Sequence, residues 1–409
     1  MCLATARING PRIFTACSPQ RHIHVFLHHF CFGDVVIITQ ARSAIINIVY
    51  SGKDISEDLA PYLTAFSFTD NAKDKSDDLS ITLQDSRGEW LRDWTPQKSD
   101  TITASIIKQD GTSTLSLPCG TFTVDQIDYS LPPHTLSIKA VSSAVNSTIA
   151  QTKKSRHWEN ETLSSILGRI ASENNFALRL EGEAGHVFER LDQTEQTDLD
   201  FAREVCADYG LAVKVQPGKL WVYSKEDFEA QDSACEIWST DDRLISARFS
   251  SKSAKVYKKA KVVYHHPVKD EEYEGEYEDE DEEGSGRELL IHERVESQGE
   301  AESKAKERLI EANRAEITGS LVLVGDVSLA AGIMVTLGGF GMFSGRHFVN
   351  RCTHKADGGG FTTTLELGQP KGEKNKGRKS ARKSSKSKSR SGNKGVSGEI
   401  FYEGEKYYK

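Results

Sequence analysis

Residues 120–140 read Gly120-Thr-Phe-Thr-Val-Asp-Gln-Ile-Asp-Tyr-Ser-Leu-Pro-Pro-His-Thr-Leu-Ser-Ile-Lys-Ala140. Two runs, one holding Phe122 and Val124 and the other Leu136, Ile138 and Ala140, flank the breaker Pro132-Pro133. Successive side chains of a strand point to opposite faces, so this alternation packs one face on a core and turns the other to solvent or a partner. A proline pair between two such runs reads as a turn. The pattern extends backwards through Leu79, Ile81 and Leu83 and through Ile102, Ala104 and Ile106, with Asp110-Gly111 as a further hairpin signal. Residues 41–145 therefore read as a small, mostly antiparallel β-barrel or sandwich.

The same arrangement returns near the other end of the chain. Gly345 to Cys352, the turn Asp357-Gly-Gly-Gly360 and the alternating Phe361, Thr363, Leu365 and Leu367 echo the Gly-led strand, turn and strand of 120–140. Further strands are expected at Leu321 to Val324 and Ile333 to Leu337. Residues 237–370 thus read as a second β module, a duplicate split from the first by an insertion. Within it a capping box, Ser297 and Glu300, opens a helix with the apolar stripe Ala301, Ala305, Leu309 and Ala312.

Between the modules, 146–236, the period changes. Leu163, Ile166, Leu167 and Ile170 share a helical face after the cap candidate Asn160. Leu199, Ala202, Val205, Cys206 and Tyr209 form a second face, with Thr197 and Asp198 as cap candidates and Gly210 as the stop. Short strands are expected at Ala177 to Leu180, and at Leu211 to Val215 paired with Leu220 to Tyr223 across Pro217-Gly218. This is an α+β domain.

At 409 residues the length suits two to three domains, and 37% hydrophobic residues suffice for packed cores. A mean hydropathy of -0.49 indicates polar tracts among them. The longest apolar stretch, Ile23 to Ile38, carries three histidines and Asp34, which makes it too short and too polar for a membrane span and a poor secretory signal. Residues 1–40 do not resemble the rest. The expectation is an extension of doubtful authenticity, with translation starting near Val36 to Ile38; its rival is a genuine N-terminal arm.

Seven scattered cysteines (Cys2, Cys17, Cys31, Cys119, Cys206, Cys235, Cys352) show no paired zinc or redox spacing and read as reduced, individually buried thiols. The net charge of -8 hides strong segregation. Asp270 to Glu283 holds 11 acidic residues and no basic one, while Lys371 to Lys394 holds 11 basic residues against Glu373. The remainder carries -7, which argues against a nucleic-acid-binding core. The acidic run reads as a solvated loop, and the basic segment 371–409 as a disordered tail. That tail could contact nucleic acid or anionic lipid, but it lacks stacking aromatics before Phe401 and Tyr402.

No chemistry-bearing motif emerges. Gly339, Gly341 and Gly345 miss the dinucleotide spacing, and a strand rather than a helix follows them, so they read as turn glycines. His22, His24, His28, His29 and Cys31 could supply metal ligands in number but lack the spacings of a structural zinc site. His265 and His266 fall on opposite faces of one strand and cannot chelate one ion together. The acidic run has neither the rigidity nor the apolar neighbours that tune a general acid, and it lacks the glycines and ligand order of a calcium loop. The reading is a chain with no catalytic residue, no metal and no cofactor.

The order of several weak motifs is more telling. Gly52-Lys-Asp-Ile-Ser56, Ser76-Asp-Asp-Leu-Ser-Ile-Thr-Leu83, Gly120 to Ile127 and Trp158 to Ile170 come first. Gln193-Thr-Glu-Gln-Thr-Asp-Leu-Asp-Phe-Ala202, Gly325-Asp-Val-Ser-Leu-Ala-Ala-Gly332 and His354 to Leu367 come after them. Together, over roughly 41–370, they resemble the late control D protein family, the baseplate hubs of contractile-tailed bacteriophages. The hubs of Mu-like phages and the N-terminal half of VgrG spike proteins are related to it.

That resemblance implies two β-barrel tube-type domains with an α+β domain between them, assembled as a homotrimer. Three copies of two similar modules make a pseudo-sixfold ring, able to stack on a sixfold tail tube and receive a threefold spike. The implied partners are the tail tube protein, the spike protein and a tape-measure protein, with non-specific passage of DNA through the channel in the virion tail. The alternatives are the hub of a phage-derived injection machine (a tailocin or a type VI-like secretion system), a hub bearing a cell-wall hydrolase, and a nucleic-acid-binding protein acting through its tail. The acidic run and the basic tail lie outside the family pattern.

Overall fold

The computed structural model describes the strand Ala6–Ile8 and residues 43–371, apart from gaps at 74, 93, 111–112, 144–147, 217, 253–255, 267–269, 281–285 and 315. The segment holding His22, His24, His28, His29 and Cys31 and the tail with Phe401 and Tyr402 lie outside the described residues. The protein is mainly β, with few helices.

The first β region contains β1 (Ala6–Ile8), β2 (Ser43–Tyr50), the two-residue β3 (Lys53–Asp54), the single-turn helix α1 (Ser56–Leu59) and β4 (Leu63–Asn71). It continues with β5 (Asp78–Gln84), β6 (Thr101–Asp110), β7 (Ser113–Ser130) and β8 (Thr135–Ser142). The alternating positions of the sequence are its core: Leu79, Ile81, Ile102, Ile106, Phe122 and Leu136 are all at most 1% exposed and belong to one cluster.

The middle region comprises α2 (Thr148–Gln151), β9 (Lys153–Thr162), α3 (Leu163–Glu173), β10 (Ala177–Glu181), β11 (Val187–Thr197), α4 (Asp198–Ala207), β12 (Leu211–Gln216), β13 (Lys219–Ser224) and α5 (Lys225–Ala230). Two small sheets, β9–β11 and β10–β13–β12, pack with α3 and α4 around Trp158, Ile166, Ile170, Leu199 and Val222. Asn160 does not cap α3. It sits within β9 at φ +50°, and the hydroxyl of Thr162 accepts from the Ser165 N–H instead. Thr197 does cap α4, accepting from Asp200 N–H at 3.1 Å. Strands β9 and β11 are too polar to announce themselves, because ion pairs such as Arg190–Glu159 line their exposed faces.

The last region runs β14 (Cys235–Trp238), β15 (Leu244–Ser251), β16 (Lys259–His266), β17 (Glu271–Glu278), β18 (Glu288–Ile291), α6 (Gln298–Arg314), β19 (Ile317–Val324), β20 (Met334–Gly338), β21 (Gly345–Asp357) and β22 (Gly360–Gly368). This region is interrupted around the acidic run: β16, β17, β18 and α6 form a separate three-stranded sheet with its own helix and core, inserted between β15 and β19. The expectation of an acidic loop is corrected over its described part, where Glu271–Glu278 is strand β17, antiparallel to β16. Its period of two explains this. Tyr273, Gly275 and Tyr277 lie opposite Tyr264, Val262 and Ala260, and the glutamates between them meet Lys258, Lys259 and Lys261. Cross-strand opposite charges stabilise a pair that a row of carboxylates alone would repel.

Both β regions belong to one 14-stranded sheet. Taken in chain order, the six main strands of the first region are β2, β4, β5, β6, β7 and β8; those of the second are β14, β15, β19, β20, β21 and β22. Across the sheet each set lies in the order first, fourth, fifth, sixth, third, second. Neighbours are antiparallel throughout, except that β14 runs parallel to β20 where β2 runs antiparallel to β6. The echo heard between 120–140 and 345–367 is thus the fifth and sixth strands of a repeated topology.

Gly275 shows how closely the inserted helix packs. A Cβ built there would lie 2.1 Å from the backbone carbon of Ala301 on α6. Backbone cannot swing aside, so Gly275→Ala is expected to cost about 1–3 kcal/mol. Gly358→Ala, with open space around it, should stay within about 0.5 kcal/mol. Urea midpoints of the two variants check this; equal midpoints would refute the packing account.

Candidate functional site

The point where the two β modules meet is built by β21. Its first residues, Gly345 to Phe348, pair with β20, while Arg351 to Asp357 pair with β4 on the same side. The change of partner falls at Asn350, whose carbonyl accepts the Ala72 N–H at 3.0 Å. Arg351 then donates to Asn71 at 2.9 Å and pairs with Glu366 at 2.9 Å.

Three segments converge on Asp70 at the end of β4. The ammonium of Lys214, from β12, lies 2.6 Å from one carboxylate oxygen, and the Ala331 N–H donates to the other at 2.8 Å. Asp77 lies 3.5 Å from Lys214 and accepts the Asn71 N–H. The Tyr223 hydroxyl, from β13, donates to the Ala72 carbonyl. Burial works against the charge on Lys214, but the two carboxylates outweigh it and hold its pKa above the ordinary value. Burial dominates at Asp77 despite Lys214 and pushes its carboxyl up to about 6.

A second knot ties α6 to the rest. Glu311 meets Lys73 at 2.6 Å, Lys225 at 3.4 Å and Arg314 at 3.6 Å. Against the opposing effect of burial, these cations hold its carboxyl down at about 2. Arg314 also pairs with Glu229, and Arg346 from β21 donates to the Glu229 carbonyl at 2.9 Å. Beside it, Lys304 and Arg308 of α6 pair with Asp208, at 3.1 Å and 3.0 Å.

Inside the middle region, Asp198 is fully buried at the start of α4. Its carboxylate takes bonds from Lys154 (2.6 Å), Arg156 (2.7 Å), Asn174 (2.9 Å) and Gln193 (3.0 Å). Those donors overcome burial and keep its pKa below the ordinary value. The stretch 193–202 flagged in the sequence is therefore a charge-satisfied box that locks α4 to β9 and β11, next to Trp158 with Arg156 stacked 4.4 Å from its ring. The pairing of positions 154, 156, 174, 193 and 198 had no sequence signal, because the donors come from three different elements.

The other flagged residues lie apart from these knots. Gly339 and Gly341 lie in the turn between β20 and β21, at φ +77° and +62°, and Gly345, at φ +124°, is the first residue of β21. His265 is exposed, 3.3 Å from Asp270. Cys119, Cys206 and Cys352 are buried and unpaired, and burial raises all three thiols, the first two to about 12. Among the described residues no group of three His, Cys, Asp or Glu could hold a metal ion, and no helix is long and apolar enough to cross a membrane. His354, in sequence only the first residue of a motif, sits buried at the seam. It is stacked on Phe68 and Phe361 and bonded to the Leu329 carbonyl and Thr363.

Free strand edges are the remaining notable feature. In the first region β1 and β3 cover β2 and β21 covers β4, but β14 and β15 have no second partner among the described residues. β15 also exposes Ile245, at 56%.

Removing the Lys214 charge by Lys214→Met should leave Asp70 and Asp77 uncompensated and cost about 3 kcal/mol in urea unfolding. The pH dependence has a definite sign. Because the folded pKa of Asp77 is raised from 3.8 to about 6, its contribution is complete below the lower value and lost as pH rises through the upper one. Glu311, lowered from 4.5 to about 2, behaves oppositely: its contribution is complete above the upper value and lost as pH falls through the lower one. Asp77→Asn should therefore flatten the stability profile between about pH 4 and pH 6; an unchanged slope there would contradict the assignment.

No protein-family model matches the chain. Two curated proteins do: the probable baseplate hub protein of Escherichia phage P2, 27% identical over 175 residues, and that of Escherichia phage 186, 25% identical over 174. Each match covers 42% of this chain and 43% of the relative, so the chain spans less than half the length of the relatives it matches. Among solved structures, the 43 kDa tail protein of prophage MuSo2 from Shewanella oneidensis superposes with a TM-score of 0.63 at 13% identity, covering 79% of this chain and 98% of that one. The tail protein from Neisseria meningitidis gives 0.61 at 12%, covering 80% and 96%. A chain of the Francisella PdpA-VgrG complex gives 0.50 at 10%, covering 83% and 59%. Over the matched residues the chain is a sequence relative of the baseplate hub proteins of phages P2 and 186, and its fold is that of phage tail and VgrG-type proteins.

Proposed function

We propose that the protein is a structural, non-enzymatic baseplate hub of a contractile phage tail. In this reading it is a trimer that joins the sixfold tail tube to the threefold spike and lines the channel through which DNA passes. The observation that carries this is the repeated strand order: one chain presents two β modules of the same six-strand topology. Each module is read as a tube-type barrel, and residues 146–236 as the domain between them. Three copies would supply six such modules, the number needed to match a sixfold ring while keeping threefold symmetry for a spike.

The edges of β14 and β15, which have no second partner among the described residues, support the assembly, since an exposed sheet edge is completed by another strand. Overall negative charge suits a channel wall that repels DNA and lets it slide. The partners are the tail tube protein, the spike protein and the tape-measure protein, and the place of action is the virion baseplate. The likeness to the VgrG chain favours a second reading, the hub of a phage-derived injection machine. It differs in cargo rather than in architecture.

Light scattering after size exclusion tests the assembly. The expected mass is three times the 45.3 kDa of the chain, and Ile245→Asp on the free edge of β15 should shift it to the monomer with unchanged circular dichroism. A monomer both alone and with the spike protein co-expressed would overturn the proposal.

A further inference from the structure

The two β modules share more than strand order. β7 and β21, their fifth strands, each contain a glycine of positive φ, Gly120 at +106° and Gly345 at +124°. Four residues after each glycine comes a bulge, between Val124 and Gln126 in one strand and between Val349 and Arg351 in the other. β4 and β15, the second strands, are bulged at matching places, between Leu63 and Ala65 and between Leu244 and Ser246. These markers align residues 126–130 with 351–355, and 65–71 with 246–252.

The aligned segments differ in their partners. Past its bulge, β21 bonds β22 on one side and β4 on the other, and that second ladder is the seam. Past its bulge, β7 bonds β8 on one side, and no strand bonds its other side among the described residues. At the seam Cys352, His354 and Ala356 of β21 are buried, as are Phe66 and Phe68 of β4. Their counterparts are not. Ile127, Tyr129 and Phe249 are half-buried, Ala247 is exposed, and Leu131 is 63% exposed.

We propose that the seam ladder forms again between chains, with β15 of one copy pairing antiparallel with residues 126–130 of β7 in the next. The inference rests on the trimeric hub reading and specifies the joint within it. The seam sets the register. His354 lies opposite Phe68 and Lys355 opposite Ser67, so Tyr129 lies opposite Phe249, and Ser130 opposite Arg248, across the joint. Backbone groups on both open edges gain partners there, and Ile127, Tyr129 and Phe249 lose water. Arg248 falls diagonal to Asp128, within reach of a long side chain. Such a joint is heterologous, so it makes a ring only where the rotation closes. Repeating the step from first to second module across each joint puts six modules in the ring of three chains.

The double variant Ser130→Cys/Arg248→Cys of the full-length chain, alone and with the spike protein co-expressed, tests the pairing. Both positions are exposed, and opposite residues of a ladder lie about 5 Å apart. Dibromobimane, a short bis-thiol reagent, should link this variant into species of two and three chains on a denaturing gel, and none larger. Ser130→Cys/Lys252→Cys, displaced by about 13 Å along the strand, should give no more than the unaltered chain with its native cysteines. Links from Arg248→Cys alone would mean that β15 pairs with itself, and species beyond three chains would mean an open fibre; either overturns the proposal. Light scattering on the same samples separates the joint from the hub reading. Trimers without links would refute the joint and leave the hub standing, whereas monomers in both preparations would overturn both.

Discussion

Strand β21 is long enough to bond one strand along its first residues and another along its last, and the architecture follows from that exchange. Its pairing with β20 belongs to the second module; its pairing with β4 joins that module to the first. Backbone groups in such a ladder have no alternative partner once water is excluded. The seam is therefore fixed in register, and a slip by one residue would turn every inward side chain outward. The bulge at Asn350 lets one strand serve two neighbours, taking up the irregularity between them.

The seam also decides where charge is buried. Asp70, next to last in β4, has one oxygen bonded to the backbone of the second module and the other to a lysine of the middle region. Desolvation opposes every charge in this knot, and the outcome depends on partner number. Lys214 faces two carboxylates and stays protonated beyond its ordinary range, whereas Asp77 shares one cation with Asp70 and loses to burial. Glu311, with three cations around it, goes the other way. Such knots give orientation more than net stability, because buried pairs roughly break even against apolar packing while half a pair is costly. A protein required to hold several bodies in a fixed relation benefits from contacts whose loss is penalised so heavily.

Repetition and difference have separate roles in the proposed hub. The five strands that keep their sense in both modules supply the common frame. The reversed β14, the insertion β16–α6 and the uncovered edges of β14 and β15 make the modules unequal. A trimer of identical modules would gain sixfold symmetry without any means of telling one end from the other. Unequal modules provide that distinction, with the additions placed on one repeat only.

Much of the β framework was legible in residues such as Leu79, Ile81, Leu136 and Leu365, because burial on one face of a strand imposes a period of two whatever the partner. Caps at Thr197 and Ser297 were legible for a similar reason, since the orphan N–H groups of a helix are satisfied within a few residues of chain. The acidic strand reads as a loop from sequence because its stabilising lysines, 259 and 261 in β16 and 258 just before it, lie elsewhere in the chain, and composition counts charges without their partners. β9 and β11 were missed on the same ground. The sequence by itself determined the alternation, the helical faces and the charge segregation, all of which arise from neighbours along the chain. Only the tertiary structure decided the continuity of the sheet, the six-strand repeat and the Asp70–Lys214 and Glu311 knots, because each depends on residues tens to hundreds of positions apart meeting in one low-dielectric place.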